Sequence, residues 1–411
     1  MPEKIYRVDV CIVGAGPAGM ILGLLLAHQG IKVLVLESHH DFEREYRGEV
    51  LMPRFIQMMR QTGLLSHLEK YPHLKLKNFE FHYKDKVLAN VDFAGLCPQA
   101  PFALWMSQTV MLNALREKAV TYPNFQLLFG VTARDVVREG GKIVGVMGTR
   151  RAQQIEVRAR VTVGADGRAS AMRKTAEFKM EYEDYDFDVV WFTVKRREQF
   201  ENTVRAFFTP RRTYLILPKH PDLVQCGILV GKGEFSQIRE QGIGAMRQEL
   251  LSAHPVLHDF ARQLTDFEPF SVLQARVSYV ARWAKEGCLL IGDAAHTCSP
   301  AGAIGVSVAA ATAIVAADVI IKGFKRGDLS LATLNKVQML RGSDVQRIQT
   351  TQAAFTRAAL LRYPRLRPLA LLIIFTLARA GIMPKFFRRI VVMDGPLPVD
   401  PAISLENPAV V

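Results

Sequence analysis

Three short segments, far apart in a chain of 411 residues, carry residue types able to hold a phosphorylated, sugar-bearing ligand. The first is Gly14-Ala-Gly16-Pro17-Ala18-Gly19. Its first glycine permits a tight turn after a strand, and its second lets the backbone approach a pyrophosphate. Its third lets helix and strand lie close together, and the helix N-terminus adds partial positive charge. Glu37 ends the next apolar run, 18 residues beyond Gly19, where a carboxylate can accept hydrogen bonds from ribose hydroxyls. This fingerprint alone fits FAD and NAD equally. The second segment, Gly164-Ala-Asp166-Gly167, follows an apolar strand ending at Val163 and places a carboxylate in a turn at a sheet edge. The third, Gly287-Cys-Leu-Leu-Ile-Gly292-Asp293-Ala-Ala-His296, is again a short apolar strand running into an acid. Pro300, Gly302 and Gly305 follow as a stiff, bare loop against which a flat ring could lie, and the helix start near Ile304 favours negative charge on that ring. We read His296 as a residue that structures this loop, with a general-base role as the alternative.

These segments need particular elements to position them. Residues 7–13 read as a buried parallel strand, 17–29 as a helix and 31–36 as a second strand, a βαβ unit. Residues 49–63 and 107–120 read as helices, and Gly140-Gly141 turns a hairpin. Residues 187–195, 203–209, 213–217 and 223–230 read as antiparallel strands, 236–252 and 255–264 as helices, 271–280 as a strand and 304–321 as an alanine-rich helix. The expected fold is therefore α/β: a Rossmann-like nucleotide-binding domain (1–175 and 281–340) with an inserted antiparallel β-sheet substrate domain (176–280) and C-terminal helices in a basic segment (341–411). Trp191, Arg205, Phe207, Tyr214 and Cys226, on strands 187–230, are the expected substrate-lining residues.

Taken together, the three segments resemble the class A flavoprotein monooxygenases of the para-hydroxybenzoate hydroxylase type, over roughly residues 5–320. Arg47-Gly-Glu49 resembles that family's arginine on the flavin side of the first crossover, and Gln108 its polar FAD ligand. The resemblance implies a cofactor-binding set of Gly14, Gly16, Pro17, Ala18, Gly19, Glu37, Arg47, Gln108, Val131, Asp166, Gly167, Asp293, Pro300, Gly302 and Gly305. In it Glu37 binds the adenosine ribose, Asp166 lies near the pyrophosphate, Asp293 binds the ribityl chain and Pro300 to Gly305 flank the isoalloxazine. It implies FAD as cofactor, NADPH or NADH as transient reductant, and O2 and a small molecule as substrates. A flavin hydroperoxide would then hydroxylate or epoxidise an aromatic, polyketide or isoprenoid-type compound, so that the flavin carries the chemistry and no protein nucleophile is assigned. The alternative is a related flavin enzyme that reduces or dehydrogenates its substrate without inserting oxygen. Where the family has further glycines, an asparagine and an Asp-Ala pair after the proline, this chain has Ala303, Ser307 and Thr312-Ala313.

Bulk properties narrow the remaining classes. No second GxGxxG follows a strand, and there is no CxxC, so a two-Rossmann disulfide reductase is excluded. The adjacent His39 and His40 diverge, and no metal is expected. Five scattered cysteines fit reduced thiols and a cytoplasmic location, and the first strand is no cleavable leader. Net charge is +14, yet nine basic and no acidic residues lie between Asp344 and Asp394, so the excess is local. Without interleaved aromatics or a reading motif, nucleic acid is not an expected partner. Residues 355–392, with eleven mostly apolar residues between Arg367 and Arg379, fit either a core helix or an interfacial helix. The latter implies peripheral contact with the inner membrane surface.

Overall fold

The structure is a computed structural model that describes residues 4–43, 49–83, 86–196, 202–359, 376 and 380–408. Its first sheet is built around the strands Lys4–Val13, Val33–Leu36, Phe125–Leu128, Gln153–Gly164 and Cys288–Leu290. All five run parallel, in the order 288–290, 153–164, 4–13, 33–36, 125–128. Parallel strands buried on both faces need apolar runs, and VLVL and CLL are such runs. The consequence is positional. Val13, Leu36, Gly164 and Leu290 end side by side, so the chain leaves one sheet edge at Gly14, Glu37, Ala165 and Ile291. Three segments remote in sequence meet along that edge.

The helix Pro17–His28 covers this sheet and is itself covered by the helix Gly305–Arg326. Neither has a polar face. Every residue from Ala18 to His28 is buried, as are sixteen of the longer helix. Gly305–Arg326 is long and apolar enough to cross a membrane, but its burial makes it the central core helix here.

Among the described residues the second sheet has eight strands, and it is not confined to residues 176–280. Its order is 296–297, 271–280, 180–195, 223–231, 213–219, 203–208, 78–83, 86–92. Thr203–Phe208 pairs in parallel with Asn78–Tyr83, which extends the sheet by a hairpin from the first third of the chain. At the opposite edge His296 and Thr297 pair with Tyr279 and Ser278, tying the sheet to the third segment. The helices Glu234–Glu240, Gly242–Ala253 and His258–Gln263 pack on its outer face, where they bury Phe192, Phe207, Tyr214 and Cys226 with Phe260.

Two helix expectations are corrected. Residues 49–63 start as a strand, Val50–Leu51, and the helix begins only at Pro53, whose missing N–H suits a first helical position. Residues 236–252 break at Gly242, which takes φ +84°.

Past the helix Ile382–Val391 the chain straps across the helix Pro53–Gln61. Gln57 accepts from Met393 N at 3.0 Å and donates to Met393 O at 3.3 Å. Gln61, one turn on, does the same for Leu397, at 3.0 and 2.9 Å. Arg54, one turn earlier, donates to Val392 O and to Asp344. Of the C-terminal segment read as either a core or an interfacial helix, the apolar stretch 368–378 lies outside the described residues except for Thr376.

Replacing both Gln57 and Gln61 by alanine leaves three partly buried backbone groups (Met393 N, Met393 O and Leu397 N) without partners, since Leu397 O keeps Val399 N. We expect a loss of about 2 kcal/mol in unfolding free energy. Hydrogen exchange should quicken at the Met393 and Leu397 amides in particular; unchanged protection there would contradict the clasp.

Candidate active site

The glycines of the first segment have different work. Gly14 has φ +103°, and a Cβ there would stand 2.4 Å from Ala165 O; a Cβ at Gly19 would stand 1.9 Å from Gly14 O. Both are demanded by protein packing. Gly16 is not: its φ is −70°, open to any residue, and nothing lies within 4 Å of its Cβ position. Bare space also stands over Gly167 and Gly305. An open trough with amides at its floor is the shape a pyrophosphate requires.

Around the trough the acids take distinct roles. Glu37 is buried at the end of its strand and accepts from Ala15 N at 2.9 Å and His39 N at 3.0 Å. Its backbone O accepts from the buried Val131 at 2.8 Å. Asp166 accepts from Ser170 Oγ at 2.5 Å and Met172 N at 3.0 Å, holding the start of the helix Ala171–Thr175. Burial raises the Asp166 carboxyl above the usual range, and these hydrogen bonds oppose the shift. Asp293 lies in a single 3₁₀ turn, Gly292–Ala294. Burial raises its carboxyl as well, against Arg168, whose Nε is 3.4 Å away. Gln108 is buried at the start of the helix Gln108–Ala119. Arg47 lies outside the described residues.

Two residues that brace the site were not singled out in the sequence. Arg173 donates to Ala294 O at 3.0 Å and to Arg168 O at 2.6 Å, so it locks the second segment to the third. Gln352, from the helix Leu331–Ala359, accepts from Ser299 N at 3.2 Å and donates to Ser299 O at 3.0 Å and Ala301 O at 2.5 Å. It fixes the Pro300 loop, in which Ala303 sits at φ +50°, the conformation glycine favours, at a cost of roughly 1–2 kcal/mol.

His296 faces away from the trough. It is buried beside Trp283, with ring centroids 4.8 Å apart. Its Nε2 is 2.8 Å from Thr312 Oγ1. The threonine hydroxyl is already donated to Val308 O, so the imidazole is the donor. That pins the loop to the core helix.

Between the Pro300 loop and the inner face of the second sheet is a cavity of about 200 Å³. Trp191 lines it, lying against Gly227, where a Cβ would be 2.4 Å from the indole ring. The other four expected lining residues do not. Strand side chains alternate between faces. Val204, Ala206, Phe208, Leu215, Leu217, Gln225 and Leu229 point inward, which turns Phe207, Tyr214 and Cys226 outward into the cluster under the helices. Arg205 shares the outward register and pairs with Glu80 at 3.1 Å. Phe79, Phe81 and Phe387 complete the wall, from a hairpin and a C-terminal helix that no local signal connects to it.

A family model described as the FAD binding domain matches residues 7–332. The chain belongs to the class A FAD-dependent monooxygenases of the aromatic-hydroxylase type. It is 33% identical over 361 residues to 6-methylpretetramide 4-monooxygenase of Streptomyces rimosus, covering 87% of this chain and 86% of that protein. Identity to 3-demethoxyubiquinol 3-hydroxylase of Escherichia coli is 21%, over 91% of this chain and 96% of that one. The fold is similar to that of PqsL, a probable FAD-dependent monooxygenase from Pseudomonas aeruginosa: TM-score 0.77, 20% identity, 89% of this chain and 100% of that chain. It is also similar to p-nitrophenol 4-monooxygenase PnpA from Pseudomonas putida DLL-E4: TM-score 0.76, 19% identity, 95% and 100% coverage. This monooxygenase is thus an oxidoreductase with FAD as cofactor, a nicotinamide nucleotide as the family's usual reductant, and O2 and a small molecule as substrates.

Two outcomes follow from this geometry. Burial, and secondarily Arg341, pushes the His296 imidazole down to about 3. Unfolded, it binds a proton near the usual value of about 6.5. The unfolded state therefore holds the extra proton between those values, and the stability this residue confers is complete above the upper one and lost as pH falls. Denaturant titrations should show His296→Gln removing up to about 1.4 kcal/mol per pH unit from the acid-side slope. Separately, Leu215→Trp should block ligand binding at normal stability, whereas Cys226→Ser should lower the melting temperature and leave ligand affinity unchanged. The reverse pattern would put the pocket on the other face.

Proposed function

We propose that this monooxygenase adds one oxygen atom to a flat, largely apolar aromatic substrate of the polyketide type, seated between the second sheet and the Pro300 loop. The cavity wall carries the reading. Among the described residues, six aromatic side chains (Phe79, Phe81, Phe187, Trp191, Phe208 and Phe387) surround it with Leu215, Leu217 and Leu229. Rings stack on such walls, and a dry wall protects a reactive cofactor. The named reaction of the Streptomyces rimosus relative supports the same class.

In this reading Gly14 to Gly19 hold the pyrophosphate, Glu37 the adenosine ribose, Asp293 the ribityl chain, and Pro300 to Gly305 the flavin ring. FAD, when bound, accepts electrons and activates O2; the chain's own residues bind, orient and exclude water. The cofactor-binding unit would be 1–175, without the hairpin 78–92, together with 281–340. The substrate unit would be the sheet of 176–280 together with strands 78–92. A cytoplasmic location fits five buried, unpaired cysteines. We place peripheral membrane contact, as a secondary role, on the exposed Lys385, Arg388 and Arg389, because the opposite side of that helix buries Phe387 and Ile390.

The test is turnover of FAD-loaded protein with NADPH or NADH, isotopically heavy O2 and a panel of polycyclic phenols and quinones. Mass spectrometry should find one heavy oxygen in the product, with nucleotide oxidation stimulated by substrate. Substrate reduction that proceeds without O2 would contradict the proposal.

A further inference from the structure

The cavity wall is apolar except at a few places, and among its described residues two are charged, Glu49 and Arg168. They differ in kind. Arg168 is 45% exposed and faces Asp293. The Glu49 side chain is only 8% exposed, and its Oε2 is buried without an aligned hydrogen bond. Its charge is balanced by Lys219, with Nζ 3.1 Å from Oε2 and 18% of the side chain exposed. Lys219 ends the strand Thr213–Lys219, on which Thr213, Leu215 and Leu217 face the cavity; by alternation Lys219 closes that same row. The lysine also lies 5.6 Å from the Trp105 ring. A buried carboxylate with one imperfect partner is costly unless something else donates to it.

We propose that Glu49, held by Lys219, accepts a hydrogen bond from a hydroxyl on the substrate ring, and so selects uncharged hydroxylated rings over carboxylated ones. This rests on the aromatic-substrate reading above and makes it more specific. A hydroxyl donor gives the Glu49 carboxylate a second partner beside Lys219. A bare hydrocarbon ring supplies none. An anionic ring would set a second negative charge beside a pair that is already neutral, in surroundings of low dielectric. Glu49 would touch the substrate; Lys219 is a positioning residue, acting through it.

The experiment titrates FAD-loaded protein with 1-naphthol, naphthalene and 1-naphthoate, following the change in flavin absorbance on binding. Wild-type protein should bind the naphthol tightest and the naphthoate weakest. Glu49→Gln should weaken the naphthol by roughly 10- to 100-fold, strengthen the naphthoate and leave naphthalene unchanged. The double variant E49L/K219M removes the buried pair at constant net charge, a change that cores tolerate. It should bind naphthol and naphthalene equally. Variants that shift all three ligands together, or that lose FAD along with them, would show a purely structural pair and overturn the proposal. Wild-type protein that binds all three without discrimination would overturn this inference alone, and wild-type protein that binds none would overturn the aromatic reading with it.

Discussion

The first turn of the helix Pro17–His28 lies so close to the preceding strand that a methyl group at Gly19 would stand 1.9 Å from the Gly14 carbonyl oxygen. Much of the molecule is arranged around that approach. It aims the helix's free amides along the parallel strands' C-terminal edge, beside the buried Glu37 carboxylate. It also sets the helix low enough on the sheet for Gly305–Arg326 to pack over it. The start of that second helix is the end of the Pro300 loop, so one close packing contact sets the spacing between the two ends of an extended cofactor.

The two sheets are coupled at the same place. His296 and Thr297 belong to the second sheet by pairing, to the core helix through Thr312, and to the cofactor edge through Asp293 three residues earlier. Arg173 and Gln352 then fasten the loops on either side. The substrate cavity is therefore held relative to the cofactor trough by backbone pairing and buried hydrogen bonds. Few loose contacts are involved, as is needed where a ring must sit at a fixed distance from a reactive flavin.

What was legible in the sequence was what local chemistry dictates. Gly14, Glu37, Asp166 and Asp293 each lie just past the apolar end of a strand, and strand ends in a parallel sheet converge without further information. The inward face of the second sheet was not legible. Along 213–217 the inner Leu215 and Leu217 and the outer Tyr214 and Ile216 are all apolar in side-chain bulk, and along 203–208 Arg205 alone marks the outer face while Phe207 beside it is as apolar as the inner Val204, Ala206 and Phe208, so alternation does not separate the faces. Only the fold's layering decides. Phe79, Phe81 and Phe387 reach the wall through a parallel strand pairing and a returning C-terminal helix, which are long-range outcomes. Gln57, Gln61 and Gln352 read as ordinary helical glutamines until the backbone they clasp is in place.

Gly16 offers the most direct test. Its backbone suits any residue and no protein atom occupies the space its side chain would take, so only a ligand requires glycine there. Gly16→Val should leave the thermal midpoint of the cofactor-free protein unchanged and weaken FAD binding, measured by titrating the apoprotein, by roughly tenfold or more. If the variant bound FAD as tightly as the wild type, the trough would not be the pyrophosphate site and the account would fail at its base.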